Sequence, residues 1–270
     1  MIELFEQNVR TNARQSSKGN QLKWKNENIW YKADYAGYEG LAEYVISHLL
    51  QKSTLSREEF VLYDLEQIRY KSVIYNGVRS NEILRDDWQI ITLERLFKNF
   101  FNISLYQSVF RMVEPEERLR FIVNQVERIT GLCEFGKYMN KLLTIDAVFL
   151  NEDRHMHNIA VLMNGEGAFL YCPFFDHGAG LLSDTFMDYP LTGEVLLQME
   201  DVKAKTFSRS FEEQLDISQK LYNQNLRFNF TKKDVRDIID SAVCYSEEEK
   251  RRVEEILYMQ MRKYTYLFEK

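Results

Sequence analysis

The sequence predicts an α+β chain of two lobes, a small β-rich one followed by a larger, mostly helical one. Three observations carry this. Short alternating apolar stretches are confined to the first third and to one later hairpin. From Leu93 onward the apolar residues recur at helical spacing. Only three prolines and eleven glycines occur in 270 residues, too few punctuators for a turn-rich all-β fold.

Within residues 1–85, Gln21–Trp24 and Asn28–Lys32 read as a hairpin turning at Lys25–Glu27. Tyr38–Lys52 carries Leu41, Ala42, Val45, Ile46, Leu49 and Leu50 on one face, the pattern of an amphipathic helix. Phe60–Leu65 and Ser72–Val78 read as two further strands. In residues 86–270, Leu93–Phe101, Pro115–Thr130 and Leu132–Leu150 are expected helices, the second with proline in its first turn. Asn151–Asn158 breaks the pattern. Ile159–Met163 and Ala168–Cys172 then form a hairpin across Asn164-Gly165-Glu166-Gly167. Phe207–Asn223, Lys232–Val243 and Glu247–Leu267 complete the chain as helices. The expected domains are therefore 1–85 and 86–270.

Composition narrows the function classes. A hydrophobic content of 45% with 28% charged residues is that of a globular chain rather than a disordered one. The net charge of −6 provides no global basic footprint, so direct contact with nucleic acid is not expected. Cys133, Cys172 and Cys244 are widely separated and form no CxxC pair, which reads as reduced thiols in a cytoplasmic protein. The start, MIELFEQNVRTNAR, lacks the apolar core of a signal peptide. No apolar run approaches the roughly 20 residues that span a bilayer, so no membrane partner is expected.

The informative segment is IDAVFLNEDRHMHNIAVLMNGEGAFLYCPFFD, residues 145–176. It sets a polar loop, NEDRHMHN, between a helix end and a strand, where rigid elements can hold catalytic groups. The loop offers Asp153 and, five residues later, Asn158; Asp176 follows after one hairpin. Phosphoryl transfer needs such an order. A carboxylate accepts the acceptor hydroxyl's proton, while a side-chain oxygen of the same loop and a second carboxylate hold magnesium against the phosphates. The Asp-to-Asn spacing is that of the protein-kinase catalytic loop.

DRHMHN with the later FFD resembles the HipA-like kinases, bacterial relatives of the phosphatidylinositol kinases, whose own loop also reads DRHxxN. The resemblance implies a two-lobed protein-kinase-like fold, ATP and Mg2+ as cofactors, Asp153 as catalytic base, and Asn158 and Asp176 as metal ligands. His155 matches the family's loop histidine, a structural or phosphate-facing residue. IWYKAD followed by YEGLAEYVISHLL is similar to the family's strand lysine and the helix after it. Lys32 then matches the phosphate-binding lysine, with Glu43 as its ion-pair partner and Glu39, one turn earlier, as the competing choice. QSSKGNQLKW resembles the phosphate-covering loop in position, so Ser16, Ser17 and Gly19 would offer backbone N–H groups to the phosphates. The resemblance runs from Gln15 to about Pro190 and implies a serine/threonine protein substrate, autophosphorylation, and a small antitoxin-like or regulator protein as partner. The chain is shorter than full-length HipA toxins and looks closer to the compact, stand-alone members of the group.

Other readings stay open at the level of sequence. A lipid or small-molecule hydroxyl could be the acceptor, since DRHxxN is shared with lipid kinases. A pseudokinase or interaction module would keep ATP binding without turnover. His155 and His157, with Cys172 and His177 downstream, raise a metalloenzyme, although no ligand pair has zinc spacing. The basic run Lys203–Phe211 reads either as a substrate contact or as a solvated segment before a helix.

Overall fold

The computed structural model describes residues 1–10 and 21–268. Along the first third lie β1 (Ile2–Glu3), β2 (Lys23–Asn26), β3 (Ile29–Ala33), α1 (Glu39–Leu50), β4 (Asp64–Tyr70) and β5 (Val73–Asn81). The strands form one sheet in the order β1-β4-β5-β3-β2, with β1 parallel to β4 and the other pairs antiparallel. Strand alternation decides what each face carries. On β3, Tyr31 and Ala33 enter a small core with Leu4, Trp24, Ile68 and Tyr70, while Trp30 and Lys32 line a cleft on the other side.

Two local expectations shift. The first hairpin turns at Glu27–Asn28 rather than Lys25–Glu27, and its ladder runs out to Asn26 opposite Ile29. Glu27 adopts φ 53°, as a two-residue turn between twisted strands requires. Phe60–Tyr63 is not strand: Val61 donates to the carbonyl of Phe174 at 2.9 Å and Phe174 to that of Glu59 at 2.7 Å. Its apolar pattern reflects burial against the second half of the chain, and the ladder begins only at Asp64.

The remainder contains β6 (Trp88–Thr92), α2 (Leu93–Phe101), α3 (Leu105–Phe110), α4 (Pro115–Thr130), α5 (Phe135–Phe149), β7 (Ala160–Asn164), β8 (Phe169–Tyr171), α6 (Val195–Asp201), α7 (Phe211–Tyr222), α8 (Lys232–Asp240) and α9 (Glu247–Lys263). Pro115 opens α4 and Gly131, at φ 73°, closes it. Capping boxes Thr231/Asp234 and Ser246/Glu249 start α8 and α9. The expected β7–β8 hairpin gains β6 as a third strand, in the order β6-β7-β8. Neither β6 nor the short helices α3 and α6 was legible in the sequence.

Helix α1 joins the two halves. Ile46 and Leu49 belong to the same apolar cluster as Val148, Phe149 and Leu257 of α5 and α9. On its other side, Gly40 approaches β5 at Gly77. A Cβ on Gly77 would lie 2.1 Å from the Lys32 carbonyl oxygen, and one on Gly40 would lie 2.9 Å from the Gly77 Cα. These two glycines let the helix sit against the sheet, which brings Glu43, almost one turn further on, over β3. Among the described residues no helix is long and apolar enough to cross a membrane.

Candidate active site

The site begins with Lys32 on β3. Its Nζ lies 2.6 Å from Oε1 of Glu43 and 2.7 Å from Oδ1 of Asp176, with the Tyr63 hydroxyl at 3.5 Å. Glu43 is buried, and its Oε2 accepts the backbone N–H of His177 at 2.9 Å. Both of its oxygens are thus satisfied, as a buried carboxylate requires. Burial opposes the charge on Lys32, but Asp176 and Glu43 outweigh it and hold the ammonium well above its ordinary range. Burial likewise opposes ionisation of Asp176. The charges of Lys32 and Lys23, the Lys32 hydrogen bond and Arg154 overcome this and hold the carboxyl below the usual carboxylate range. Glu39, the competing partner, instead accepts the backbone N–H groups of Tyr35, Ala36 and Gly37, so it shapes the turn into α1.

The second part is the loop after α5. Leu150 ends that helix in the left-handed region, φ 54°, and turns the chain into 151–158. Asn158 donates its amide to the Asp153 carboxylate, 3.0 Å to Oδ2, and to the Asp153 carbonyl at 2.8 Å. Because the amide nitrogen is committed there, the Asn158 Oδ1 points away from Asp153. Burial pushes the Asp153 carboxyl up to about 6, with the positive charge of Lys205 opposing. His155 is lowered to about 4, first by burial and then by His157, Lys205 and Arg154, so its ring is neutral near pH 7. Its Nε2 lies 3.8 Å from Asp153 Oδ1.

Arg154 ties the two parts together. Its guanidinium is buried, pairs with Asp146 at 3.1 Å, and donates to the carbonyls of Asn158 at 2.9 Å and Phe175 at 3.0 Å. It also reaches the Asp176 carbonyl at 3.4 Å and His177 Nδ1 at 3.3 Å. Asp176 itself takes φ 62°, a conformation that costs a non-glycine residue about 1 kcal/mol or more and persists where its surroundings impose it. Sequence reading named neither Arg154 nor Tyr63, whose roles follow from where their side chains end.

Two hollows meet at Asp176. One is a cleft of about 300 Å³ with apolar walls from Trp30, Val61, Ile83, Leu84, Ile90 and Phe175, and with Lys23 and Lys32 at its polar end. The cross-strand register sets these two lysines opposite each other, an arrangement that favours an anion between them. The other holds Asp153, Asn158 and Asp176 with Tyr35, Glu39 and Asp184. The Asn158 amide oxygen and the Asp176 carboxylate form an all-oxygen pair that suits magnesium completed by phosphate oxygens. Asp176 Oδ2 accepts no hydrogen bond among the described residues. Ser16, Ser17 and Gly19 lie outside the described residues. No group of three or more His, Cys, Asp or Glu among the described residues could hold a metal ion, and His177 is buried beneath Arg154 rather than facing His155 and His157.

No family model and no curated protein matches the sequence. Among solved structures the chain is similar to a Helicobacter pylori proinflammatory kinase, CtkA. The TM-score is 0.56 at 13% identity, over 97% of this chain and 94% of that one. A second similar structure is HipA of a Shewanella oneidensis MR-1 toxin–antitoxin system, solved with HipB and its operator DNA. There the TM-score is 0.49 at 12% identity, over 92% of this chain and 65% of that one. At such identity the first likeness is one of fold, and it makes the architecture kinase-like: a curled β-sheet portion followed by a helical remainder.

Proposed function

We propose that this chain is an ATP- and magnesium-dependent phosphotransferase of the HipA-like kind, passing a phosphoryl group to a serine or threonine hydroxyl of a protein. One observation carries the reading: Asp176 belongs at once to the apolar cleft and to the hollow of Asp153 and Asn158, and it is held to Lys32. An apolar cleft, a cation at its edge and neighbouring carboxylates are parts that phosphoryl transfer uses.

In this reading the purine lies between the apolar walls and Lys32 holds the α- and β-phosphates, oriented by Glu43. Asn158 and Asp176 would hold magnesium, which would offset the phosphate charge. Asp153 receives the acceptor hydroxyl's proton as the acceptor oxygen bonds to the γ-phosphorus. The bond from that phosphorus to the bridging oxygen breaks, and its electron pair leaves on ADP. His155, neutral, supports the loop beside the base. Phosphorylation of Ser16 or Ser17, which the resemblance assigns to a phosphate-covering loop, would add about −1.5 to −2 charges and would inhibit by repulsion of the ATP phosphates. A small antitoxin-like or regulator protein is the proposed partner, and the cytoplasm the proposed location.

The test is incubation of the full chain with labelled ATP and magnesium, alone and with cell lysate, followed by phosphosite mapping. Label on protein serine or threonine supports the reading. Label on lipid or a small molecule reassigns the acceptor. Magnesium-dependent nucleotide binding without turnover makes the chain a binding module.

A further inference from the structure

Within the basic run Lys203–Phe211, Lys205 and Thr206 lie against the loop 151–158. Ala204, Thr206, Phe207 and Ser208 are buried. Thr206 Oγ1 donates to the Arg154 carbonyl at 2.6 Å, Arg118 donates to the Phe207 carbonyl at 3.0 Å, and Ala204 N–H donates to the Arg209 carbonyl at 3.1 Å. These anchors fix the backbone on both sides of Lys205, whose side chain extends to the catalytic loop while remaining 44% exposed.

The two oxygens of Asp153 face different neighbours. Oδ2 accepts from Asn158, on the side proposed for metal. Oδ1 has His155 Nε2 at 3.8 Å and Lys205 Nζ at 4.0 Å. The loop NEDRHMHN contains no lysine, and its one arginine, Arg154, is buried and committed to Asp146 and to backbone carbonyls. Lys205 therefore supplies a positive charge beside Asp153 Oδ1, on the side away from Asn158 and from a segment far along the chain. With the lysine half exposed and 4.0 Å away, the pair contributes little to stability. Such a charge is worth far more where negative charge develops in a transition state.

We propose that Lys205 is a catalytic residue, its ammonium contacting an oxygen of the phosphoryl group in flight between ADP and the acceptor. This rests on the phosphotransferase reading. As the acceptor oxygen bonds to the γ-phosphorus, its proton passes to Asp153 and the electron pair of the breaking bond leaves on ADP. Lys205 stays protonated throughout and offsets charge on the three equatorial oxygens. Lys32 serves the α- and β-phosphates from the opposite side.

The experiment measures magnesium-dependent ADP release by the full chain, and its affinity for a non-hydrolysable ATP analogue by calorimetry. It compares wild type, Lys205→Met, Lys205→Arg, Lys203→Met and Asp153→Asn. Lys205→Met should lower kcat by about 10²–10³-fold while the affinity stays within about twofold, because the contact is made in the transition state. Lys205→Arg should recover about tenfold or more of that loss, since it keeps the charge. Lys203→Met, whose ammonium contacts the Glu200 carbonyl, should match wild type. Lys205→Met turning over within about threefold of wild type overturns the proposal, as does a kcat loss matched by lost nucleotide affinity. ADP release by wild type that Asp153→Asn leaves unchanged overturns the phosphotransferase reading itself. An Asp153-dependent activity indifferent to Lys205 overturns this proposal alone.

Discussion

The ammonium of Lys32 lies 2.7 Å from Oδ1 of Asp176, although the two residues are 144 positions apart in the sequence. The pair joins β3 to the segment after β8, and with Glu43 it forms a three-member charge cluster with little exposed surface. Removing its one cation leaves two carboxylates facing each other. Lys32→Met is therefore expected to destabilise the fold by about 3–5 kcal/mol, the usual cost of breaking a buried pair. Denaturant unfolding checks this, and a loss under about 1 kcal/mol would mean that water screens the cluster.

Asp153 and Asp176 should fail differently when truncated. Asp153→Ala removes the proposed proton acceptor and leaves both proposed metal ligands, so turnover should vanish while magnesium-dependent nucleotide affinity persists. Asp176→Ala removes a proposed metal ligand and should lose both. Asn158→Ala should fall between them, because a neutral amide is the weaker ligand. Calorimetric titration with a non-hydrolysable ATP analogue, with and without magnesium, separates the cases. The opposite pattern would invert the assigned roles.

The rate should depend on pH in a stated direction. Burial pushes the Asp153 carboxyl up to about 6, and only its ionised form accepts a proton. Turnover is thus expected to be full near pH 7.5 and to fall as the pH drops through about 6. A kcat profile that is flat down to pH 5 would show the carboxyl to be solvated in the working enzyme.

A second titration reports on stability. Asp34 stands before α1 and accepts from Gly40 N–H at 2.5 Å and from the Tyr245 hydroxyl at 2.8 Å, linking that helix to the C-terminal helices. Burial, with Glu39 adding, pushes its carboxyl up to about 7. The folded state therefore favours the protonated form. Its stabilising contribution is complete below the unfolded value near 4 and is lost as pH rises through 7. The slope is at most about 1.4 kcal/mol per pH unit. Asp34→Asn keeps an acceptor for the Gly40 N–H and turns its amide N–H toward the Tyr245 hydroxyl, which then accepts, and it should flatten the change in Tm between pH 4.5 and pH 7.5. A variant as pH-sensitive as wild type would assign the effect to another group.

Gly77→Ala tests the seating of α1. The new methyl would meet the Lys32 carbonyl oxygen, which is backbone and cannot rotate aside. Overpacking of this kind costs about 1–3 kcal/mol. The variant should lose stability and, by displacing β3, weaken nucleotide binding, while Gly165→Ala, with open space around its Cβ, should lose neither. Chemical denaturation and calorimetry of the two variants measure the difference.

Amino-acid order by itself determined the local part of this protein. The helical spacing of Leu41 to Leu50, the proline and glycine that bound α4, the turn residues between β7 and β8, and the Asp153–Asn158 spacing are all short-range. Such signals survive in a linear string because residues a few positions apart decide them. Tertiary structure decided the rest. The sequence left Glu39 and Glu43 as rival partners of Lys32, and packing at Gly40 and Gly77 selects Glu43 by fixing the height and rotation of α1. The apolar run Phe60–Tyr63 imitates a strand because the segment Glu59–Val61 exchanges its backbone hydrogen bonds with Phe174, far along the chain. Arg154 stands within DRHMHN and Lys205 within the basic run Lys203–Phe211, but neither string says where the side chain ends. One is buried by carbonyls of the following loop, and the other is aimed at Asp153 by anchors on either side of it. Long-range contacts of this kind depend on where the folded backbone brings distant side chains, and a local pattern does not encode that.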